Sequence, residues 1–99
     1  MEEKCPSEIV EAALTALEDK GWCKKQFVDN DGRMCILGAV EFASQEQGIT
    51  TQFGSLARHA IRRQISTGII SWNDKIERTF EDVREVLTNA AKSLRNEGM

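Results

Sequence analysis

Three cysteines and one histidine are the side chains of this sequence best suited to bind a metal or act as a nucleophile. Cys5, Cys23, Cys35 and His59 are the ligand types of a Cys3His zinc site. Their spacing is irregular, and Cys35 lies in an apolar stretch, where a free cysteine packs as a small hydrophobic residue. A Cys–His nucleophile pair would consist of Cys23 or Cys35 together with His59, and no feature of the sequence favours either pair. We therefore predict no catalytic residue, no metal site and no cofactor.

Asp29, Asp31 and Gly32 have the spacing of part of a calcium-binding loop. With Gly32 at the sixth position of an EF-hand, Phe27 and Gly38 would fall at the first and twelfth, where carboxylates are required. Because those two ligands are absent, residues 29–32 are interpreted as a turn.

Five basic residues form the candidate binding groups: Lys24, Lys25, Arg58, Arg62 and Arg63. They could bind phosphate or an acidic protein, or form a solvated helix face. The net charge of −3 gives no general attraction to nucleic acid. A helix-turn-helix with the third helix as recognition helix is the alternative that would bind DNA.

Two tryptophans are predicted to have structural roles. Trp22 and Trp72 stand at the ends of connecting segments, where an indole can cover a small core and find an acceptor for its N–H; the alternative is an exposed contact for a partner. Asn73 and Asp74 are expected to form local hydrogen bonds with the backbone. Thr79 is expected to cap the last helix, with Asp82 completing a capping box.

Apolar residues at helical spacing predict a single all-α domain over residues 1–99, with four helices around one core. The predicted helices are 6–20, 34–47, 52–65 and 80–96. Residues 22–28 are left as an irregular loop or one side of a short ribbon, and residues 69–74 as a non-helical segment before the last helix. Gly48 is expected to end the second helix, and Thr50 or Thr51 to cap the third.

Gly38 interrupts the second helix, which is otherwise apolar around most of its circumference. A glycine in a helix interior costs about 1 kcal/mol relative to alanine, so a close neighbour is expected there. We predict that this neighbour is Trp72, buried against the second helix.

The sequence has 99 residues, 40% of them hydrophobic and 29% charged, which is typical of a globular protein. Its start lacks the features of a secretory signal, and no apolar run approaches the roughly 18 residues that a membrane span requires. An odd number of cysteines fits reduced thiols, so a cytoplasmic location is expected.

Two stretches resemble a known family when they are taken together. The first is Gly32-Arg33-x-Cys35-x-Leu37-Gly38-Ala39, preceded by Trp22 and Phe27, and the second is Trp72-Asn73-Asp74, followed by 78–83. Their order and spacing are similar to those of small, functionally uncharacterised proteins of actinobacteria, other bacteria and their phages. The resemblance implies a mostly helical domain and a bacterial or phage source, and it implies no activity, cofactor or catalytic residue.

The function expected from these observations is that of a small cytosolic interaction or regulatory protein, phage-encoded and acting on a host macromolecule. The predicted partner is a host or bacterial protein, with no membrane association. Two alternatives remain open: a nucleic-acid-associated accessory protein that uses the third helix, and a small-ligand binder or minor enzyme with a pocket near Trp22, Cys35 and Trp72.

Overall fold

The computed structural model describes residues 5–46 and 51–99, and the regular secondary structure of this part of the chain is helical. The five helices are α1 (Pro6–Lys20), α2 (Ile36–Glu46), α3 (Thr51–Arg63), α4 (Ile69–Asp74) and α5 (Phe80–Asn96). The all-α prediction and the four long helices are confirmed. The short helix α4 was not predicted.

Helix α1 has the predicted bounds, and its two ends show why. Pro6 occupies the first helical turn, where its missing N–H is not needed. Gly21 follows the last residue with a φ of 101°, a conformation that other residues rarely adopt, and its N–H donates to the carbonyl oxygen of Leu17 over 2.8 Å. One face, including Ile9, Val10 and Leu17, is buried in the core.

Helix α2 begins two residues later than predicted because Met34 takes part in backbone pairing. The N–H of Met34 donates to the carbonyl oxygen of Gly21, and its own carbonyl oxygen accepts from Cys23. The expected ribbon is reduced to two isolated bridges, Trp22 with Met34 and Val28 with Met34. Cys35 therefore precedes the helix, and its Sγ accepts a hydrogen bond from the N–H of Gly38 over 3.4 Å.

Helix α3 ends at Arg63, two residues before its predicted end. Gln64 and Ile65 continue the chain in tighter turns, donating to the carbonyl oxygens of Ile61 and Arg62. The predicted end of the second helix at Gln47 and Gly48, and the predicted cap at Thr50, lie outside the described residues. Thr51 is the first helical residue rather than the residue before it.

Residues 69–74 form the short helix α4, so the prediction that they are not helical is wrong. Trp72 N–H donates to the carbonyl oxygen of Gly68 over 2.9 Å, closing the turn. The helix has only 6 residues, so its local hydrogen bonds alone would be marginal. Trp72 and Asn73, both buried, attach it to the rest of the molecule.

Helix α5 has the predicted bounds and the predicted capping box. Thr79 Oγ1 accepts from the N–H of Asp82 over 3.3 Å, and Asp82 Oδ2 accepts from the N–H of Thr79 over 3.0 Å. Its buried face is formed by Val83, Leu87, Ala90, Ala91 and Leu94.

The helices share one core. Helix α1 contacts α2, α3 and α5, and α2 contacts α1, α3 and α4. Trp72 belongs to this core with 9% of its surface exposed, so its predicted burial is confirmed. Among the described helices, none has the length and apolarity required to cross a membrane.

The space at Gly38 is filled by a different neighbour from the one predicted. A Cβ atom added to Gly38 would overlap the carbonyl oxygen of Phe27, and the nearest atoms are all backbone atoms of Phe27. The prediction that Trp72 occupies this place is therefore wrong. Gly38 allows the loop between α1 and α2 to lie directly on α2.

Candidate functional site

The turn after Phe27 is closed by Asp29 and Arg33. The carboxylate of Asp29 accepts hydrogen bonds from the N–H groups of Asp31 and Arg33 and from Nε of Arg33, at 2.7–3.0 Å. Partial desolvation raises the pKa of the Asp29 carboxyl, but the bonds from Arg33 and Asp31 outweigh it and lower that pKa below its ordinary value. The carboxylate thus accepts three hydrogen bonds from within the turn, which confirms the turn interpretation.

Asn73 connects the loop, α2 and α4 through four hydrogen bonds. Its Oδ1 accepts from Nε1 of Trp22 over 2.7 Å and from the N–H of Ile36 over 3.1 Å. Its Nδ2 donates to the carbonyl oxygen of Cys23 and to Oδ1 of Asp74. Asn73 is only 1% exposed, and both polar atoms of its amide are fully used. The prediction of local backbone bonds is therefore wrong for Asn73, because its backbone partners belong to the loop and to α2, and its one local partner is the side chain of Asp74. The backbone partner of Asp74 is also distant, since its carboxylate accepts from the N–H of Lys25.

Asp74 and Lys24 fix the loop against the end of α4. Oδ1 of Asp74 accepts from the N–H of Lys25, which has a φ of 71°. Nζ of Lys24 donates to the carbonyl oxygens of Lys75 and Ile76 at 2.7 and 2.9 Å. The ammonium group of Lys24 therefore binds the segment that directly follows α4. Of the lysine pair, only Lys25 presents an exposed side chain for which the structure shows no such bonds.

The three arginines of α3 have different surroundings. Nη2 of Arg63 forms an ion pair with Glu97 over 2.9 Å. Arg58 donates to Oγ of Ser55, and Arg62 donates to the carbonyl oxygen of Ile65. Among the side chains that the structure describes, those of residues 5–45 and 54–99, Arg58 and Arg62 have no carboxylate partner. The structure therefore divides the five predicted basic residues into two that are occupied, Lys24 and Arg63, and three that are available.

A group of large apolar side chains lies exposed beside the available cations. Phe27, Val28 and Ile70 have exposed fractions of 59%, 56% and 51%. Phe27, Val28 and Leu37 line one depression, Leu37 and Ile70 line a second, and Phe27 and Ile70 line a third. Because neighbouring depressions share these residues, they form one continuous surface. We call it the apolar groove and define it by Phe27, Val28, Leu37 and Ile70.

Cationic side chains border this groove. Arg58 lines the first two depressions together with Leu37, and Arg62 and His59 line the second. Lys25 lines the third, at the other end. We call Lys25, Arg58 and Arg62 the cationic rim.

The local fold explains why Phe27 faces outward. Its carbonyl oxygen accepts from the N–H of Cys35 over 3.2 Å and lies against Gly38. Since the backbone of Phe27 fills the space on α2, its side chain has no room there and remains exposed. The groove is therefore built on backbone held by α2, not on a free loop tip.

The cysteines and His59 are not brought together as a metal site. No group of three or more His, Cys, Asp and Glu side chains suitable for a metal occurs in the described ranges. Cys23 lies against the carbonyl oxygens of Gln26 and Arg33, and burial followed by the nearby charge of Asp29 raises the pKa of its thiol. Cys5, Cys23 and Cys35 are free thiols.

The sequence analysis did not identify Phe27, Val28, Leu37 and Ile70 as site residues. The available signal was weak: Phe27 and Val28 stand next to a turn, and Ile70 follows Gly68 in a segment too short to show helical periodicity. Trp22 and Trp72, for which structural roles were predicted and an exposed contact was the alternative, both pack on the core, Trp72 buried and Trp22 partly buried. The indole N–H of Trp22 is bonded to Asn73, and the guanidinium of Arg78 lies 3.7 Å from the ring centre of Trp72.

Comparison with known proteins places the chain in a family. No curated protein and no solved structure matches it. A family model described as a family of unknown function, DUF6197, matches residues 1–93, which is nearly the whole chain. The chain therefore belongs to this family of unknown function, DUF6197.

Proposed function

We propose that this protein acts by binding another protein through the apolar groove, with a segment of the partner lying between Phe27 and Ile70. The observation that supports the proposal is the exposure of three large apolar side chains, Phe27, Val28 and Ile70, around Leu37. Exposed apolar patches with a polar border are typical of interaction sites on soluble proteins. Removing apolar surface from water contributes about 25 cal/mol per Å² of buried area.

The groove is well suited to binding because its walls are held in place. Phe27 is fixed by its backbone contacts with Cys35 and Gly38. Ile70 belongs to α4, which Asn73 connects to Trp22 and Ile36. A surface that is already ordered loses little conformational entropy when a partner binds.

The proposed partner is a bacterial protein, and the proposed role is regulatory, in the cytoplasm of the cell that holds the partner. If the protein is phage-encoded, as the resemblance implies, that cell is the host. The reduced thiols expected from the cysteine pattern fit such a compartment.

Nucleic-acid binding through α3 is the second candidate, and one observation favours it. Arg58, His59 and Arg62 line the same depression. However, phosphate backbones are usually bound by several cations along a surface. Lys24 and Arg63 are engaged within the protein, so the available set is small for this role.

The test is an affinity capture from bacterial lysate with three purified proteins. They are the unmodified protein, the groove variant Phe27→Ser/Ile70→Ser and the control Ile76→Ser. Ile76 is 90% exposed and lies outside the groove, so the control removes an exposed isoleucine without changing the groove. Captured proteins are compared by quantitative mass spectrometry, and each candidate is then purified and its affinity measured by calorimetry.

The proposal predicts a partner that binds the unmodified protein and Ile76→Ser equally and loses at least about tenfold in affinity with the groove variant, which corresponds to about 1.4 kcal/mol. All three proteins must show the same melting temperature within a few degrees. If every directly binding partner binds the groove variant as well as the control, the groove is not the binding site.

A further inference from the structure

The cationic rim is unusual in a chain whose net charge is −3. The depression lined by Leu37, Arg58, Arg62 and Ile70 has no acidic side chain among the described residues that line it. Arg58 donates to Oγ of Ser55, and Arg62 donates to the carbonyl oxygen of Ile65, both of which are uncharged acceptors. Two guanidinium groups thus stand beside exposed apolar side chains, and no carboxylate among the described side chains of residues 5–45 and 54–99 pairs with them.

We propose that the partner segment in the groove is acidic: an apolar side chain lies between Phe27 and Ile70, and carboxylates of the same segment bind Arg58 and Arg62. This inference rests on the proposed protein-binding function and adds the chemistry of the partner. The occupant is identified by charge complementarity, because two available cations next to an apolar surface match a segment that carries both apolar and acidic residues.

The geometry of α3 favours carboxylates over other acceptors. Arg58 and Arg62 are four residues apart in α3, so they lie on the same face of the helix, roughly 6 Å apart at their Cβ atoms. A guanidinium group offers a planar set of donors that matches a carboxylate in a two-bond arrangement. Such a charged bond is stronger than the present bonds to Ser55 and to a backbone carbonyl.

Glu41 determines at which end of the groove the acidic residues of the partner segment lie. It lines the depression of Phe27 and Val28, where Gln45 donates a hydrogen bond to its carboxylate. A carboxylate of the partner placed there would be repelled by Glu41. The acidic residues therefore lie towards Arg58 and Arg62, in the depression that Glu41 does not line, and the apolar side chain lies between Phe27 and Ile70.

The experiment uses a displayed library of random peptides as the probe. Peptides are selected on the unmodified protein, and those that lose binding to Phe27→Ser/Ile70→Ser are kept as groove-dependent peptides. Their content of Asp and Glu is compared with that of the unselected library. The affinities of the kept peptides are then measured by fluorescence anisotropy at two salt concentrations.

Two charge variants test the arginines. Arg58→Gln/Arg62→Gln removes the two cations of the groove, and Lys75→Gln/Lys92→Gln removes two exposed cations elsewhere, so both variants change the net charge equally. We expect groove-dependent peptides to be enriched in Asp and Glu and to bind the arginine variant about tenfold more weakly, the scale of two partly exposed charge pairs. The lysine variant should stay within about twofold of the unmodified protein, because distant exposed charges are screened.

Other outcomes overturn the inference in distinguishable ways. Groove-dependent peptides that lack acidic enrichment, or that are indifferent to the arginine variant, overturn the acidic partner and leave the proposed function intact. If no selected peptide depends on the groove, the acidic partner and the proposed binding function are both overturned. A dimer in light scattering that dissociates in the groove variant would identify a second copy as the occupant. Oligonucleotide binding that is lost in the arginine variant, with no acidic peptides selected, would identify nucleic acid instead.

Discussion

Asn73 Oδ1 accepts a hydrogen bond from Nε1 of Trp22 over 2.7 Å, across 51 positions of the sequence. The same oxygen accepts from the N–H of Ile36, the first residue of α2. One buried amide thus satisfies an indole and the start of a helix whose first N–H groups have no partner within the helix. This places the loop, α2 and α4 in one arrangement, and the apolar groove is formed by residues of these three elements.

The first prediction concerns Asn73. In Asn73→Ala, the N–H groups of Trp22 and Ile36 and the carbonyl oxygen of Cys23 lose a partner. Because a buried polar group without a partner costs about 1–3 kcal/mol, we expect a loss of about 3 kcal/mol in the free energy of unfolding, allowing for access of water to the half-buried groups. Urea denaturation measures this loss of stability. Asn30→Ala, at an exposed position of the turn, is the matched control and should change stability by less than about 0.5 kcal/mol. Equal stability of the two variants would show that the amide of Asn73 does not hold these elements together.

The second prediction concerns the cap of α5. Thr79→Ala removes the acceptor of the Asp82 N–H and should cost about 1 kcal/mol, whereas Thr79→Ser keeps the hydroxyl and should be nearly neutral. Thr88→Ala, at an exposed position inside the same helix, is the control and should not destabilise, since alanine has the higher helix propensity. Thermal and urea denaturation of the three variants measure their relative stabilities. Equal effects of Ala and Ser at position 79 would exclude the hydroxyl as the cap.

The third prediction concerns the pH dependence of stability. The bond from the N–H of Thr79 is the main cause that lowers the pKa of the Asp82 carboxyl below its ordinary value of 3.8, helped by the Thr79 side chain and Arg78. The folded state therefore favours the charged carboxylate, and its contribution is complete above pH 3.8 and is lost as the pH falls through the lower folded value. The stability difference between the unmodified protein and Asp82→Asn should shrink between about pH 4 and pH 2. A difference that stays constant over this range, in urea titrations, would contradict the prediction.

The fourth prediction concerns the thiols. Cys5 is exposed and Cys35 is buried, while Cys23 is intermediate and has a raised pKa. Since the thiolate is the reactive form, alkylation at pH 7.5 should modify Cys5 first, then Cys23, and Cys35 only with unfolding. Mass spectrometry of peptides from a timed reaction with iodoacetamide gives the order. A zinc chelator added in parallel should leave the melting temperature unchanged, and a marked drop would reveal a structural metal.

The long helices were predictable because their signals are local. Pro6 and Gly21 mark the ends of α1, and Thr79 with Asp82 marks the start of α5. Each signal depends on residues within one or two turns of each other. The all-α class follows from helical spacing, which is a pattern of the same kind.

Helix α4 and the groove were not predictable because they depend on contacts between distant segments. Six residues show too little periodicity to indicate a helix, and α4 is attached through Asn73 to residues about 40–50 positions away. The start of α2 was misplaced for the same reason, since Met34 pairs with Gly21 and Cys23. Among the basic residues, only the fold shows that Lys24 bonds to two backbone carbonyls and Arg63 to a carboxylate, while Arg58 and Arg62 pair with no carboxylate among the described side chains.

The last prediction concerns Gly38 and connects stability with the groove. Any side chain at Gly38 would overlap the carbonyl oxygen of Phe27, a backbone atom that cannot move without displacing the loop. Alanine should gain about 1 kcal/mol from helix propensity, but the overlap should cost more than that, so we expect Gly38→Ala to lower the free energy of unfolding by about 1–3 kcal/mol. Gly68→Ala is the control, because a Cβ there meets nothing within 4 Å and should change stability little.

The same substitution should also weaken binding at the groove. Moving the backbone of Phe27 away from α2 would separate Phe27 from Leu37, which line one depression together. For any groove-dependent peptide, Gly38→Ala should therefore lower affinity under conditions where the variant is fully folded, whereas Thr79→Ala, which also lowers stability but lies outside the groove, should not. Calorimetry of both variants with the same peptide checks this. If Gly38→Ala loses stability but binds the peptide normally, the position of Phe27 relative to α2 does not determine the shape of the groove.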